Sequence, residues 1–210
     1  MKKHGIIWFD CDGVLTDHHS SWAFLHEYFG SGDNKFFAEL YRRGVISYLD
    51  WMKIDIALMI HAHGKPITRK EVVKALENIG VKREAIDVVK ELREKGFVVC
   101  VISSGIDILV KRICNMINCD ICLYNELYFI DDILVPGGRD HVPLLEKDRI
   151  IEDESRRLGF NLGSVVYVGD SEWDMKVFEK VGLSIAVEPC GNACKHADYT
   201  CLLYTSPSPR

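Results

Sequence analysis

Short apolar, β-branched runs alternate with segments of helical period along most of this chain. The runs at 5–10, 97–102, 121–124, 164–168 and 183–187 predict strands buried on both faces. In 83–95, Ile86, Val89 and Leu92 fall on one helical face, and Gly96 ends the segment. Helices are predicted likewise over 106–117, over 147–158 before Gly159, and over 172–181 before Gly182. Strand–helix alternation of this kind predicts an α/β fold with a Rossmann-like, doubly wound parallel sheet.

The first two strands are separated by a long stretch without strand character. Ser20 or Ser21 can cap a helix running to Phe29, Asp33 one to Tyr41, and Ser47 one to His61. Thr68-Arg69-Lys70-Glu71 is a capping-box pattern ahead of 72–79. An insert of this size is too long for an ordinary strand–helix loop. Residues 16–80 are therefore expected to form an all-helical cap, inserted into a catalytic core made of 1–15 and 81–203. Residues 127–135 read as a hairpin turning at Asp131-Asp132, an appendage to that core. Residues 204–210 abandon the pattern, resemble a cloning scar, and are expected to be a non-native tail.

With 210 residues, 48% of them hydrophobic, the chain can bury one core domain plus an insert. A net charge of −5 without any basic block points away from nucleic acid and from anionic membrane surfaces. The apolar runs are too short to span a bilayer. The run after Met1-Lys2-Lys3-His4 stops at Asp10, which argues against a leader peptide. Eight cysteines, several inside apolar runs, are read as reduced thiols of a cytoplasmic protein. Cys119-Asp120-Ile121-Cys122 has zinc-ligand spacing but lacks a second ligand pair in sequence, so a metal is not expected there.

The chemistry concentrates at strand ends. Side chains at i and i+2 of a strand face the same way, so Asp10 and Asp12 are expected on one face where the first strand stops. Gly13 lets the backbone turn there. Two adjacent carboxylates repel, and one keeps a proton unless a cation lies between them. Mg²⁺ suits oxygen ligands of this kind. Cys11, between them, is expected to point the other way, into the core. Ser103 and Ser104 follow the second strand, where hydroxyls and free helix-start amides make an anion site. Lys147 opens a helix, where a cation gains little from the dipole but can reach a bound anion. Asp170, after Gly169, can complete a metal site, and Asp174 can orient Lys147. Taken singly, each of these residues also suits a turn, a helix cap or a solvated surface.

In order, Asp10-Cys11-Asp12-Gly13, Ser103, Lys147, and Gly169-Asp170 with Asp174 resemble the haloacid dehalogenase superfamily of phosphohydrolases, over nearly the whole chain. The insert position and the hairpin before Lys147 look most like its phosphoserine phosphatase branch. The resemblance implies that Asp10 attacks phosphorus and becomes an aspartyl-phosphate. Asp12 would protonate the leaving alcohol and then activate water. Mg²⁺ would be held by the Asp10 carboxylate, the Asp12 backbone carbonyl, Asp170 and waters, while Ser103, Ser104 and Lys147 would hold phosphate oxygens.

Three positions depart from that branch, and all touch its substrate contacts. A cap glutamate is replaced by the run His18-His19-Ser20-Ser21-Trp22. By offset from Gly44 a cap arginine falls at Lys53, a weaker bidentate partner for carboxylate. An expected asparagine is Trp173. His19, Trp22 and Lys53 are therefore candidate substrate-side residues, although Trp22 and Trp51 also suit cap packing. The departures weigh against phosphoserine as substrate. The expected activity is Mg²⁺-dependent hydrolysis of a small phosphorylated metabolite. Alternatives are a phosphoserine phosphatase proper, transfer of the phosphoryl group to an acceptor alcohol, a sugar-acid phosphatase, and a non-catalytic phospho-ligand sensor. The intact Asp10/Asp12 pair argues against the sensor.

Overall fold

The computed structural model describes residues 4–32 and 34–201. Its seven strands are β1 (Ile6–Phe9), β2 (Val98–Ile106), β3 (Ile121–Ile130), β4 (Ile133–Arg139), β5 (Val165–Gly169), β6 (Leu183–Val187) and β7 (Tyr199–Cys201). They form one sheet in the order β4-β3-β2-β1-β5-β6-β7. Every neighbouring pair is parallel except β3 and β4. The chain builds outward from β1 to one side through β3, then returns to build the other side from β5. That reversal between β1 and β5 is the topological switch point, where α/β sheets open a crevice at the carboxyl ends of the strands.

The strands alternate their side chains between two cores. Ile6 and Trp8 of β1 join Val98, Cys100, Val165 and Tyr167 on one side of the sheet. Ile7 and Phe9 join Val99, Val101 and Val168 on the other. Burial on both faces accounts for the continuous apolar strands. The fully buried Trp8 keeps its indole N–H satisfied by donating to Ser155 Oγ at 3.0 Å.

Between β1 and β2 lie α1 (Ser21–Phe29), α2 (Lys35–Arg42), α3 (Tyr48–His63), α4 (Arg69–Leu76) and α5 (Arg83–Glu94). Ser20 caps α1 by accepting from the Ala23 amide, and Gly30 ends it in the left-handed region at φ 79°. Ser47 with Asp50, and Thr68 with Glu71, form capping boxes that open α3 and α4. Asp33 lies outside the described residues, and Asn34 stands at the start of α2 without a side-chain capping bond. Leu25, Phe29, Ile56, Met59, Val72 and Leu76 of this helical layer share one buried cluster with the sheet. The insert is therefore seated on the sheet through a continuous apolar contact. α6 (Asp107–Ile117), α7 (Lys147–Arg157) and α8 (Met175–Phe178) complete the helices. No described helix is long and apolar enough to cross a membrane.

Four features differ from the sequence reading. The hairpin is not an appendage: β3 runs unbroken from the core strand into it, and β4 forms the antiparallel edge of the same sheet. Its turn does fall at Asp131 and Asp132, both at positive φ. The helix expected over 172–181 opens as a 3₁₀ turn, Glu172–Asp174, and α8 is a single turn, because Asp174 spends its carboxylate on the Asp170 and Ser171 amides. β7 was not foreseen; three residues carry too little alternation to read. The cysteines are not all free thiols. Cys114 on α6 bonds to Cys122 on β3, and Cys190 bonds to Cys194. The tight α6–β3 connection, with Asn118 in the left-handed region, folds the end of the helix over the strand that follows it. The tail at 204–210 lies outside the described residues.

Ile56 is fully buried where α3 meets the shared cluster. Ile56→Ala is expected to lower unfolding free energy by about 2–5 kcal/mol in urea titration. A loss below about 1 kcal/mol would mean that the helical layer is not packed on the sheet as described.

Candidate active site

The carboxyl ends of β1, β2 and β5 bring the four sequence motifs around one cavity of about 730 Å³. Asp10, Asp12, Ser103, Ser104, Lys147 and Asp170 all line it, and Asp174 is fully buried behind them. Lys147 is the hinge of the arrangement. Its ammonium, 1% exposed as a residue, donates to Asp10 Oδ2 at 2.5 Å and to Asp174 Oδ1 at 3.0 Å. Burial works against its charge, but Asp10 and Asp174 outweigh that and hold its pKa above the usual lysine value.

Asp174 is saturated. Its Oδ1 also accepts from Tyr167 at 2.6 Å, and its Oδ2 accepts from the Asp170 amide at 3.2 Å and from the amide and hydroxyl of Ser171 at 3.1 and 3.0 Å. Burial opposes its ionisation, yet Lys147 and these donors hold its pKa below the usual carboxylate value. Asp10 has fewer donors. Burial, with Asp174 adding to it against Lys147, lifts its pKa to about 7. Asp170 is lifted to about 9 by burial and by Asp10 and Asp174.

Asp12 is anchored by the helical insert. Its Oδ2 accepts from the Ser21 amide at 2.8 Å and the Ser21 hydroxyl at 2.7 Å, at the first turn of α1. Its Oδ1 is buried without a hydrogen-bond partner among the described residues. Burial raises its pKa, with the Ser21 bonds partly offsetting the shift. A carboxyl held through one oxygen, with the other free beside the cavity, is placed to pass a proton to a group bound there. Cys11 is buried in the opposite core, and its thiol is pushed well above the usual value by burial and by both flanking aspartates.

Ser104 ties the insert to the core. Its carbonyl accepts from Trp22 Nε1 at 3.2 Å, Tyr48 Oη at 2.7 Å and Asn125 Nδ2 at 3.0 Å, while its own hydroxyl has no partner among the described residues. Ser103 accepts the Gly105 amide at 3.0 Å. Gly13 is needed for two reasons: its φ is +74°, and a Cβ there would strike the Asp170 carboxylate.

Two candidate substrate-side residues line the cavity and one does not. His19 reaches Asp170 Oδ2 through Nδ1 at 2.8 Å, and Trp22 lines the wall. Lys53 is a correction. It is exposed outside the cavity and faces Asp50 at 3.5 Å, because it sits away from the inward face of α3 that carries Met52, Asp55 and Ile56. Sequence reasoning missed Ser21, Tyr48, Tyr167, His26, Asp55 and Lys82. The last donates to the Gly13 carbonyl.

The donor set fits a hard divalent cation. One oxygen each of Asp10, Asp170 and Asp174 lies within 4.8 Å of the others. Asp174 is already filled by Lys147, Tyr167 and Ser171, leaving Asp10 and Asp170 as the carboxylates able to turn to an ion. The raised pKa values of these two mark a site short of positive charge.

A model of the haloacid dehalogenase-like hydrolases matches residues 5–182. The chain belongs to that family. A phosphoserine phosphatase of Methanocaldococcus jannaschii is 29% identical over 187 residues, spanning 88% of this chain and 86% of the relative. A solved substrate-bound phosphoserine phosphatase superposes with a TM-score of 0.79 at 26% identity, over 95% of this chain and 93% of the other. A phospho-aspartyl intermediate analogue of phosphoserine phosphatase superposes with a TM-score of 0.78, again at 26% identity and over 95% and 93% of the two chains. Family membership and this sheet order account together for the motifs converging at the switch point.

The raised carboxyls make a test of the site's electrostatics. With folded values of about 7 and about 9 against 3.8, the folded metal-free protein holds protons that the unfolded chain releases. Stability should therefore fall as pH rises from about 4 through about 9. Asp170→Asn should flatten the fall in Tm measured in chelator. An identical pH slope in wild type and variant would show that Asp170 is not under this strain.

Proposed function

We propose that this chain is a Mg²⁺-dependent phosphomonoesterase acting on a small phosphorylated metabolite through a covalent intermediate on Asp10. The observation that carries the reading is the cavity floor. There a carboxylate tied to a buried ammonium stands beside a second carboxyl that Ser21 holds through one oxygen and leaves free at the other. The ester would enter with its phosphoryl group toward Lys147, Ser103 and Ser104. An Asp10 oxygen would form a bond to phosphorus as the bond to the ester oxygen breaks, and Asp12 would give its proton to the departing alkoxide. Asp12, then ionised, would take a proton from the water that attacks phosphorus. That step breaks the Asp10–phosphorus bond and frees phosphate and the carboxylate.

Lys147 would follow negative charge from Asp10 onto the transferring oxygens, with Asp174 and Tyr167 holding it in place. Mg²⁺, held by Asp10, the Asp12 carbonyl and Asp170, would neutralise phosphate charge that the three aspartates otherwise repel. Residues 16–80 would act as the cap, shielding the acyl phosphate from bulk water. Ser21 links that cap to the proton donor. A phosphorylated small-molecule substrate points to the cytoplasm as the place of action.

The purified protein with Mg²⁺ should hydrolyse p-nitrophenyl phosphate, lose that activity in chelator, and regain it on adding Mg²⁺. Asp10→Asn should lower kcat by roughly 10⁴-fold. An Asp10→Asn rate close to wild type would overturn the mechanism.

A further inference from the structure

The cap side of the cavity carries a buried carboxylate that none of the phosphoryl-transfer roles uses. α3 turns Tyr48, Met52, Asp55, Ile56 and Met59 inward, and Asp55 is the acid in that otherwise apolar row apart from the Tyr48 hydroxyl. Asp55 is 5% exposed and lines the same cavity as Asp10 and Asp12. Asn34 Nδ2 donates to its Oδ1, and His26 Nε2 lies 3.3 Å from that same oxygen. Its Oδ2 has no hydrogen-bond partner among the described residues. His26 is itself fixed, its Nδ1 2.6 Å from Ser31 Oγ. The carboxylate is thus oriented through one oxygen and left open at the other.

Its surroundings favour a cation. Trp22, Tyr48 and Trp51 line the same wall, with the Tyr48 and Trp51 rings packed edge-on at 5.8 Å. Aromatic faces beside a buried carboxylate form a recognised setting for an ammonium group. A substrate carboxylate would meet like charge there, in a setting where charges are poorly screened. Among the described residues two cap cations line the cavity, Lys35 and Arg42, and the Arg42 guanidinium is engaged elsewhere. It pairs with Glu172 at 2.9 Å and lies 4.7 Å above the Trp173 ring. Tyr48 lines the cavity beside both ends of the site, donating from its hydroxyl to the Ser104 carbonyl at 2.7 Å.

We infer that Asp55 is the specificity-determining residue, receiving a primary ammonium on the leaving group, and that the substrates are phosphate esters of amino alcohols without a carboxylate beside the amine. This rests on the phosphomonoesterase reading above and adds the chemistry of its leaving group. Asp55 touches no reacting atom, so its effect should fall on the amine rather than on phosphoryl transfer.

The test compares kcat/KM of the Mg²⁺-loaded full chain for O-phosphoethanolamine, O-phosphoserine, glycerol 3-phosphate, 2-phosphoglycolate and p-nitrophenyl phosphate. Phosphoethanolamine should exceed glycerol 3-phosphate and phosphoglycolate by roughly 10-fold or more, with phosphoserine below it. Asp55→Asn, which keeps the shape, should lower kcat/KM for phosphoethanolamine some 10–100-fold more than for the aryl ester, chiefly through KM. Phosphoglycolate or glycerol 3-phosphate turned over as well as phosphoethanolamine by wild type would overturn the inference, whatever becomes of the variant. So would equal losses on both esters in Asp55→Asn. Failure to hydrolyse any ester, the aryl ester included, would instead bring down the phosphatase reading and this inference with it.

Discussion

A single buried ammonium holds the site together. Lys147 comes from the start of α7, Asp10 from the end of β1, and Asp174 from the turn after β5, and all three meet in the buried floor of the cavity. An unpaired lysine at that depth would lose its charge, and unpaired aspartates would keep their protons. Each therefore depends on the others, and together they fix how α7 and the β5 turn sit over the central strand. Removing one partner would leave a buried charge exposed to its neighbours, a larger loss than the pair's own attraction. Burial of the triad raises the Asp10 pKa to about 7, with Lys147 opposing the shift.

The second constraint comes from the helical layer. Three of its side chains enter the site by hydrogen bonds: Ser21 to Asp12, and Trp22 and Tyr48 to the Ser104 carbonyl. The aromatic cluster of Tyr41, Tyr48 and Trp51 extends across to Trp173, the residue next to Asp174. The proton donor, the phosphate-binding strand end and the lysine-orienting turn are each touched by the layer. Displacing it would therefore loosen all three at once.

Local signals carried much of the fold and the floor of the site. Asp10, Asp12, Ser103 and Asp170 were legible because each follows an apolar run that could hardly be anything but a buried strand, and strand ends converge in this architecture. The Ser47 cap, the Thr68 capping box and the turn at Asp131-Asp132 were legible because their geometry is set within four residues. The wall of the cavity was not legible. Lys53 was chosen by counting from Gly44, but Asp55 lies two residues on, roughly 200° around the helix, so an offset without the face selects the wrong side. Ser21, Tyr48 and His26 depend on how the insert docks, which no local pattern encodes. The Cys114–Cys122 bond was hidden because its partners lie on a helix and a strand that each read as ordinary apolar segments.

The most direct measurement of the central claim is to quench the Mg²⁺-loaded enzyme in acid during turnover of a ³²P-labelled aryl phosphate and map the label by peptide. The account predicts an alkali-labile phosphoryl group on the peptide bearing Asp10, absent in Asp10→Asn. Sustained turnover with that peptide unlabelled, or with the label on Ser103, would contradict it.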